Sequence, residues 1–242
     1  MLDSQEVTLP KYDPKALLRE INKTFGDGAA MMLGEKPALD LSVIPTGALT
    51  LDVATGIGGY PEGRVIELFG NESSGKSTLC LHAIAEAQKQ GMLCAFVDVE
   101  CALDVKYASA IGVNVDSLII SQPDSGEQAM DIVQALVESQ QVGLIVVDSV
   151  ALLVPQAEID KTMGESTVGE QARLMGKGLR KLTNLLKNHK ACLMFTNQIR
   201  SKIGVMYGNP ETTPGGRALP FAASIRIKVV RTEADKDNMR SH

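Results

Sequence analysis

The sequence lacks any long apolar run and any strong excess of one charge. No apolar stretch approaches the roughly 20 residues that a membrane-spanning helix needs, and the first residues lack the charged-then-apolar pattern of a signal peptide. We therefore expect a cytoplasmic protein with no membrane partner. The net charge of −5 excludes a surface coated in basic residues. Nucleic-acid binding stays open, because a local basic groove is enough for it.

Cysteine is also scarce, and no two cysteines form a C-x-x-C pair. The four are Cys80, Cys94, Cys101 and Cys192, and their spacing matches no zinc-binding pattern. Three of them lie in apolar or helical surroundings, which predicts buried, reduced thiols. A reducing compartment agrees with the expected cytoplasmic location.

The chain of 242 residues suits one α/β domain, or one domain with a small appendage. Three segments are predicted. Residues 1–37 hold an N-terminal helix and a linker, residues 38–231 hold the main domain, and residues 232–242 form a charged tail that we expect to be disordered.

The N-terminal segment has a clear helix signal. Asp13 followed by Pro14 is a typical helix start, and apolar residues then recur at helical spacing, which predicts an amphipathic helix over 14–26: Leu17, Leu18, Ile21 and Phe25. A short helix is marginal in water by itself, so this apolar face must pack on something. Periodicity does not decide between the chain's own core and a neighbouring subunit.

The main segment alternates between strand and helix patterns. Strands are predicted at 65–69, 93–98, 117–121, 143–148, 191–197 and 223–230, and helices at 76–89, 104–111, 126–139 and 168–188. This pattern predicts an α/β fold with a mostly parallel sheet and helices on both faces. Ligands in such folds bind at the carboxyl ends of the strands. The connections 153–168 and 199–218 are long and lack a regular pattern, which is typical of functional loops.

The segment Gly70-Asn-Glu-Ser-Ser-Gly-Lys-Ser77 has the spacing of a complete phosphate-binding loop, with a strand before it and a helix after it. Its glycines allow backbone N–H groups to point at phosphate oxygens, and the helix start adds unpaired donors. Lys76 is placed to reach the outer phosphates, and the Ser77 hydroxyl is a Mg²⁺ ligand. An ordinary glycine turn is the alternative, but four specified positions and both flanks favour a nucleoside triphosphate with Mg²⁺.

Polar residues follow three later strands. Asp148 ends an apolar strand and is expected in the Mg²⁺ shell. Glu100 is the candidate that positions an attacking water, although a solvated carboxylate is the alternative. Gln198 can report the γ-phosphate to the loop that follows it, or it can simply cap the loop entry.

Basic residues concentrate between positions 173 and 202. They are Arg173, Lys177, Arg180, Lys181, Lys187, Lys190, Arg200 and Lys202. Such a run is usually a solvated face. The alternative is a track for a phosphate backbone beside the long loops.

Together these motifs resemble the ATPase core of the bacterial RecA recombinases. The most specific matching stretch runs from Phe195-Thr-Asn-Gln-Ile-Arg200 through Lys202-Ile-Gly-Val-Met-Tyr-Gly-Asn-Pro-Glu-Thr-Thr213 to Gly215-Gly216, and the likeness covers residues 14–231. The resemblance implies a RecA-like P-loop fold with ATP and Mg²⁺ as cofactors. It places the nucleotide on Gly70, Glu72, Ser73, Ser74, Gly75, Lys76, Ser77, Thr78, Asp104, Tyr107 and Asp148.

The resemblance also implies roles in catalysis and in DNA binding. Glu100, Lys76 and Gln198 would be catalytic, Ser77 and Asp148 would hold the metal, and Tyr107 would stack on the adenine. DNA-binding loops would span about 161–168 and 199–213. The DNA-contacting residues would be Arg173, Arg200, Lys202, Gly204, Met206, Asn209, Thr213, Gly215 and Gly216.

The implied partners are single-stranded DNA, double-stranded DNA and further copies of the chain in a helical filament. The subunit interface would use Leu17, Leu18, Ile21, Phe25 and Phe221. The implied function is pairing and strand exchange in DNA recombination and repair. Some family members also trigger self-cleavage of a repressor in the response to DNA damage.

Three features depart from the family pattern. Cys101 stands where the family usually has His, and Pro220 stands where many members carry Lys. The chain ends at His242, where typical members continue, so a fragment or a short homologue is expected. That departure motivates a second hypothesis, an ATP-binding DNA or filament module with little hydrolysis. A third is another motor of the same fold, such as a ring helicase or a clock-type ATPase.

Overall fold

The computed structural model describes residues 13–35, 42–162, 169–201 and 211–232. In these ranges the helices are α1 (Pro14–Phe25), α2 (Leu49–Thr55), α3 (Lys76–Lys89), α4 (Val105–Ile111), α5 (Gly126–Glu138), α6 (Gln156–Ile159), α7 (Glu170–Leu186) and α8 (Ala218–Ala222). The strands are β1 (Val43–Ile44), β2 (Tyr60–Pro61), β3 (Val65–Gly70), β4 (Leu93–Asp98), β5 (Leu118–Ser121), β6 (Val142–Asp148), β7 (Cys192–Gln198), β8 (Arg200–Ser201), β9 (Glu211–Thr212) and β10 (Ala223–Val229).

The chain divides by its internal contacts into two units, Met1–Leu41 and Ser42–His242. In the first unit, the Asp13 carboxylate caps α1 by accepting from the backbone N–H groups of Lys15 and Ala16, both at 3.1 Å. Gly26 ends the helix with a φ of 100°. The predicted helix is therefore confirmed, and its start follows from the Asp-Pro pair.

The apolar face of α1 is only partly covered. Leu18 and Ile21 are half-buried, whereas Leu17 and Phe25 keep 58% and 77% of their surface exposed. Exposed leucine and phenylalanine at this spacing form an apolar stripe that another surface can cover. That a neighbouring subunit covers this stripe stays a prediction.

The second unit is built on a six-stranded sheet with the order β10-β3-β7-β6-β4-β5 among the described residues. All pairings in this sheet are parallel. Strands in register end together, so Gly70 lies beside Gln198 and Asp98 lies beside Asp148 at one edge. The predicted α/β class with a parallel sheet is confirmed.

Each face of the sheet carries its own apolar core. On one face, Val147 and Phe195 pack with α5 and α7. On the other, Val146 and Met194 pack with α3. The alternation of neighbouring residues between the two cores follows from the period of two in a strand. Because both faces are covered, the central strands read as continuous apolar runs.

The predicted strands agree with the structure within one residue at each end, and the predicted helices agree within two. The short elements β1, α2, β2 and α8 were not predicted. The loops called irregular contain some structure: α6 lies in 153–168, and β8 pairs with β9 within 199–218. Most of the predicted disordered tail, 233–242, lies outside the described residues. Among the residues described here, no helix has the length and apolarity needed to cross a bilayer.

Candidate functional site

The phosphate-type loop lies between the end of β3 and the start of α3. Gly75 precedes the helix in the left-handed region with a φ of 99°, and Ser73 has a φ of 55°. No side chain in the described ranges caps the α3 start, so its first N–H groups are available to an anion. At Gly70 an added Cβ would lie 2.2 Å from the Val229 carbonyl oxygen, which is too close for any side chain.

The interior of this loop suits phosphate groups. Lys76 is 8% exposed, and its ammonium donates to the Asn71 carbonyl at 2.8 Å and to the Gly70 carbonyl at 3.4 Å. The buried Ser74 hydroxyl has no hydrogen-bond partner among the described residues. A buried cation and an unpaired hydroxyl in one loop fit an anionic ligand, because each gains a partner when phosphate oxygens enter.

A hydroxyl and a carboxylate meet beside the loop. The Ser77 hydroxyl donates to Asp148 Oδ2 at 2.6 Å, and the Thr196 hydroxyl donates to Asp148 Oδ1 at 2.5 Å. Asp148 is 5% exposed and ends β6, and its peptide bond to Ser149 is cis. Hydroxyl and carboxylate oxygens are the ligands that Mg²⁺ prefers. The donor set therefore fits magnesium at the Ser77–Asp148 pair.

One cavity of about 250 Å³ brings most of the predicted nucleotide residues together. Its lining consists of Glu72, Ser73, Ser74, Gly75, Lys76, Ser77, Thr78, Glu100, Asp148 and Gln198. Glu100 is exposed, and the N–H groups of Val99 and Glu100 donate to the Asp148 carbonyl at 2.7 and 3.2 Å. The candidate water-positioning carboxylate thus lies in the same cavity as the loop, the Ser77–Asp148 pair and Gln198, the predicted γ-phosphate sensor.

The turn that carries Glu100 is held by Asp98, to which sequence reasoning gave no role. The Asp98 carboxylate is buried and accepts from the N–H groups of Ala102 at 3.1 Å and Leu103 at 3.2 Å. Gln122 also donates to it, at 3.3 Å. A carboxylate at a strand end was visible in the sequence, but the pattern did not indicate its bonds, and one donor, Gln122, lies 24 positions away.

Asp104 and Tyr107 lie next to the cavity. Asp104 caps α4 by accepting from the N–H groups of Lys106 at 2.8 Å and Tyr107 at 3.1 Å. The Tyr107 hydroxyl shares a hydrogen bond of 3.0 Å with the Thr78 hydroxyl, and the side chain is 47% exposed. The ring is therefore fixed at one end and accessible, as a stacking platform requires.

Three of the four thiols are buried, as the sequence predicted, and the fourth is exposed. Cys80, Cys94 and Cys192 are buried, and Cys101 is exposed with a φ of 52°. Burial raises the pKa of the Cys94 thiol to about 12, and it raises the pKa of Cys80 and Cys192 as well. The buried thiols therefore stay neutral at physiological pH.

The predicted DNA-contacting residues are only partly described. Lys202, Gly204, Met206 and Asn209 lie outside the described residues. Arg173 is exposed on α7 and pairs with Glu170 at 3.4 Å, and Arg200 in β8 pairs with Thr212 in β9. Thr213 follows β9 directly.

Gly215 and Gly216 form a tight turn after the second predicted DNA loop, with φ values of 81° and 72°. An added Cβ would lie 3.0 Å from the Val150 side chain at Gly215 and 3.0 Å from the Ala172 side chain at Gly216. Both the backbone conformation and the close packing therefore favour glycine here.

Phe221, in α8, lines a second cavity, separate from the one at the phosphate loop. It is 82% exposed, and the cavity of about 870 Å³ runs between α7 and α8 along Leu179, Ala218 and Ala222. None of the nucleotide residues lines this cavity. The exposed ring beside an apolar groove is compatible with the predicted subunit interface, which stays a prediction.

The site combines a strand, a glycine-containing loop and a helix that begins with the lysine and the hydroxyl. A carboxylate ends a later parallel strand beside them. This arrangement defines a P-loop nucleoside triphosphatase fold. A sequence model of the family described as RecA N-terminal domain matches residues 14–241. The chain belongs to the RecA family.

Several curated relatives support this membership. The chain is 60% identical over 219 residues to the Protein RecA of Oceanobacillus iheyensis, covering 90% of this chain and 63% of the relative. It is 55% identical to that of Enterococcus faecalis, covering 96% and 66%, and 58% identical to that of Bacillus subtilis, covering 89% and 62%. The chain thus spans less than two thirds of the length of each of these relatives.

Proposed function

We propose that the chain is the ATPase core of a DNA recombinase, which binds ATP with Mg²⁺, hydrolyses it and uses the cycle to control its grip on DNA. One observation carries the proposal: a single cavity is lined by the phosphate loop, Glu100, Asp148 and Gln198. Gln198 is also the last residue of β7, directly before the segment that is predicted to bind DNA. The membership of the RecA family supports it.

In the proposed binding step, the loop 70–77 wraps the phosphates with backbone N–H groups. The Lys76 ammonium exchanges its carbonyl partners in the loop for phosphate oxygens, and the Ser74 hydroxyl gains a partner. Ser77 and Asp148 would hold Mg²⁺, which when bound would neutralise the charge of the phosphate oxygens. Tyr107 stacks on the base while its hydroxyl stays bonded to Thr78.

In the proposed hydrolysis step, the Glu100 carboxylate accepts a hydrogen bond from a water and aligns it with the γ-phosphate. The turn that carries Glu100 is held in place because its backbone is bonded to the Asp98 carboxylate and to the Asp148 carbonyl. Lys76 faces the charge that develops on the phosphoryl oxygens. Gln198 contacts the γ-phosphate and loses that contact after cleavage, so the state of the nucleotide reaches the residues after β7.

The proposed partners are single-stranded DNA, a homologous duplex and further copies of the chain in a filament. Exposed Arg173 and Arg200 are the described cations that would contact phosphates. The exposed apolar residues of α1 and Phe221 would lie between subunits. Residues 1–37 would then be the assembly arm, 38–231 the ATPase core and 232–242 a charged tail. A repressor that cleaves itself on the filament is a further proposed partner.

Phosphate release measured with and without single-stranded DNA tests this function, together with negative-stain imaging of the same samples. We expect hydrolysis that rises with DNA and filaments that form with ATP. Equal rates of phosphate release with and without DNA, together with no binding of single strands in the presence of ATP, would reject the proposed function. Closed rings in place of filaments would instead assign the chain to another motor type of this fold.

A further inference from the structure

We infer that two side-chain amides, those of Asn197 and Gln171, form a relay that carries the state of Gln198 to the bases of both predicted DNA loops. The inference rests on the proposed function for its input, the contact of Gln198 with the γ-phosphate. It adds two positioning residues and a route to the segment that precedes the first predicted loop. We call this chain of hydrogen bonds the amide relay: Gln198 N–H, the Asn197 side chain, the Pro214–Gly215 peptide, the Gln171 side chain, and the carbonyls of Val150 and Leu153.

The relay begins at Asn197, which is fully buried near the end of β7. Its Oδ1 accepts from the backbone N–H of Gln198 at 3.0 Å. Its Nδ2 donates to the Pro214 carbonyl at 3.1 Å and to Glu67 Oε1 at 3.2 Å. Because two acceptors face Nδ2 and a donor faces Oδ1, only one orientation of the amide satisfies all three contacts.

Glu67 fixes this end of the relay. Its carboxylate is fully buried in β3, and Oε2 accepts from Arg226 Nε in β10 at 2.5 Å. The Arg226 guanidinium also lies over the Phe69 ring, 4.6 Å from its centre. A buried, ion-paired carboxylate holds the Asn197 amide in position, since leaving that carboxylate without donors would cost stability.

The middle of the relay is a single peptide group. The Pro214 carbonyl accepts from Asn197, and the N–H of the same peptide, on Gly215, donates to Gln171 Oε1 at 3.2 Å. The two side chains therefore grip opposite sides of one peptide plane. Since the peptide is rigid, a shift of Asn197 moves the Gly215 N–H, which lies directly after the second predicted loop.

The relay ends at the segment that follows the metal-shell residue Asp148. Gln171 Nε2 donates to the Val150 carbonyl at 2.8 Å and to the Leu153 carbonyl at 3.2 Å. Gln171 lies in the first turn of α7, which begins just after the first predicted loop, and Leu153 lies ahead of that loop. One side chain thus links the segment ahead of α6, the helix that follows the first loop and the turn that follows the second.

The relay is closely packed around Gly215, so its groups have little room to move independently. Gly215 and Val150 are buried, and an added Cβ on Gly215 would lie 3.0 Å from Val150 and 3.1 Å from Met175. Close-packed groups shift together because no cavity absorbs the movement. Amide groups bonded in series also polarise one another, so breaking one bond weakens its neighbours. These properties suit a coupling element with two arrangements.

Amide hydrogen exchange tests the relay directly, because Gly215 N–H is one of its bonds. In the unaltered chain, a slowly hydrolysed ATP analogue with Mg²⁺ should slow exchange at 70–78 and also at 211–217, the latter by about fivefold or more, the lower end of coupling between sites. Gln171→Leu keeps the size of the side chain and removes every relay bond of residue 171. It should abolish the effect at the Gly215 N–H, which loses its acceptor in the relay, and keep the effect at 70–78.

A matched control and a second variant complete the experiment. Gln134→Leu removes a Gln whose side chain, within the described part of the chain, bonds only to Glu138 on α5, and it should behave as the unaltered chain. Gln171→Glu keeps an acceptor for Gly215 and removes the donor to Val150 and Leu153. It should keep the slowed exchange at 211–217 and lose the slowed exchange at 150–153 that the relay predicts for the unaltered chain. This variant tests the relay if Gln171→Leu does not fold.

The outcomes separate the relay from the proposed function. If the analogue never slows exchange at 211–217, or if Gln171→Leu and Gln171→Glu both keep the full pattern, the relay is wrong. Single-strand binding by the unaltered chain is measured in parallel with the analogue and with ADP. A chain that shows the relay pattern but binds no DNA retains the relay and loses the proposed DNA function.

Discussion

Ser77 and Asp148 lie 71 positions apart in the chain, and the Ser77 hydroxyl donates to Asp148 Oδ2 at 2.6 Å. The contact joins the first turn of α3 to the end of β6, so it depends on the whole sheet being assembled. Two oxygen ligands of the type that Mg²⁺ prefers therefore stand ready beside the phosphate loop.

Ser77→Ala should raise the Mg²⁺ concentration needed for nucleotide binding by roughly tenfold, because one hydroxyl ligand is lost while Asp148 keeps its bond from Thr196. Titrating Mg²⁺ at fixed nucleotide with a fluorescent ATP analogue measures the shift. Ser109→Ala is the control, because among the residues that the structure describes its hydroxyl bonds only to the Val105 carbonyl on α4. An unchanged Mg²⁺ requirement in Ser77→Ala would remove Ser77 from the metal site.

Lys76→Ala should weaken nucleotide binding about 100-fold, since charged hydrogen bonds to phosphate contribute roughly 1.5–3 kcal/mol each. The buried ammonium is the cation inside the loop, and water cannot replace its charge. Isothermal titration with ATP gives the affinity. Lys89→Ala, at the exposed end of the same helix, should leave that affinity unchanged. Tight ATP binding by Lys76→Ala would contradict the assigned role.

Glu100→Gln should lower the rate of hydrolysis by about 10²–10⁴-fold, the usual contribution of a positioned acid–base group. The amide keeps the size of the side chain but is a far weaker acceptor for the proton of the attacking water. Nucleotide affinity should change little, because Glu100 lines the cavity without belonging to the phosphate loop. Phosphate release measures the rate, and Glu138→Gln on the exposed end of α5 is the control. Full turnover by Glu100→Gln would mean that another group positions the water.

Alkylation at pH 8 should modify Cys101 first among the four cysteines. The thiolate is the reactive form, and with a pKa of about 12 the Cys94 thiol is ionised in about one molecule in 10⁴ at that pH. Raised pKa values protect buried Cys80 and Cys192 in the same direction. Peptide mass spectrometry after brief iodoacetamide treatment reads out the order. Equal labelling of all four thiols in the folded chain would show that the core opens readily.

Arg173→Ala should weaken single-strand binding and reduce the slope of log affinity against log salt by about 0.7, the value for one phosphate contact on a single strand. Arg173 is exposed on α7 and is only loosely paired with Glu170. Lys89→Ala removes a comparable i,i+3 pair on α3 and is the control. A salt slope equal to that of the unaltered chain would identify Arg173 as part of an ordinary solvated face.

The parts of the fold and site that the sequence predicts are those whose signal is local. The loop 70–77 is contiguous, and the central strands are short continuous apolar runs, as is typical of a parallel sheet covered on both faces. Asp148 and Glu100 were predicted as site residues because Asp148 ends one strand and Glu100 comes just after another. The 250 Å³ cavity gathers them as the parallel sheet requires.

The parts that the sequence does not predict depend on contacts between distant residues. Thr196 meets Asp148 across 48 positions, and Asn197 meets Glu67 across 130. Gln171 reads as an ordinary helix residue until Gly215 is placed beside it. Short elements were missed for a different reason, because α8 has five residues and shows no period to recognise.

The Val229 carbonyl stands 2.2 Å from where a Cβ on residue 70 would lie. The first glycine of the phosphate loop is therefore required by the neighbouring strand β10 as well as by any ligand. A substitution there would push β3 and β10 apart before it altered a single phosphate contact. Loss of nucleotide binding in a Gly70 variant would thus report a damaged sheet, and clean dissection of this site has to start from the side chains of Lys76 and Ser77.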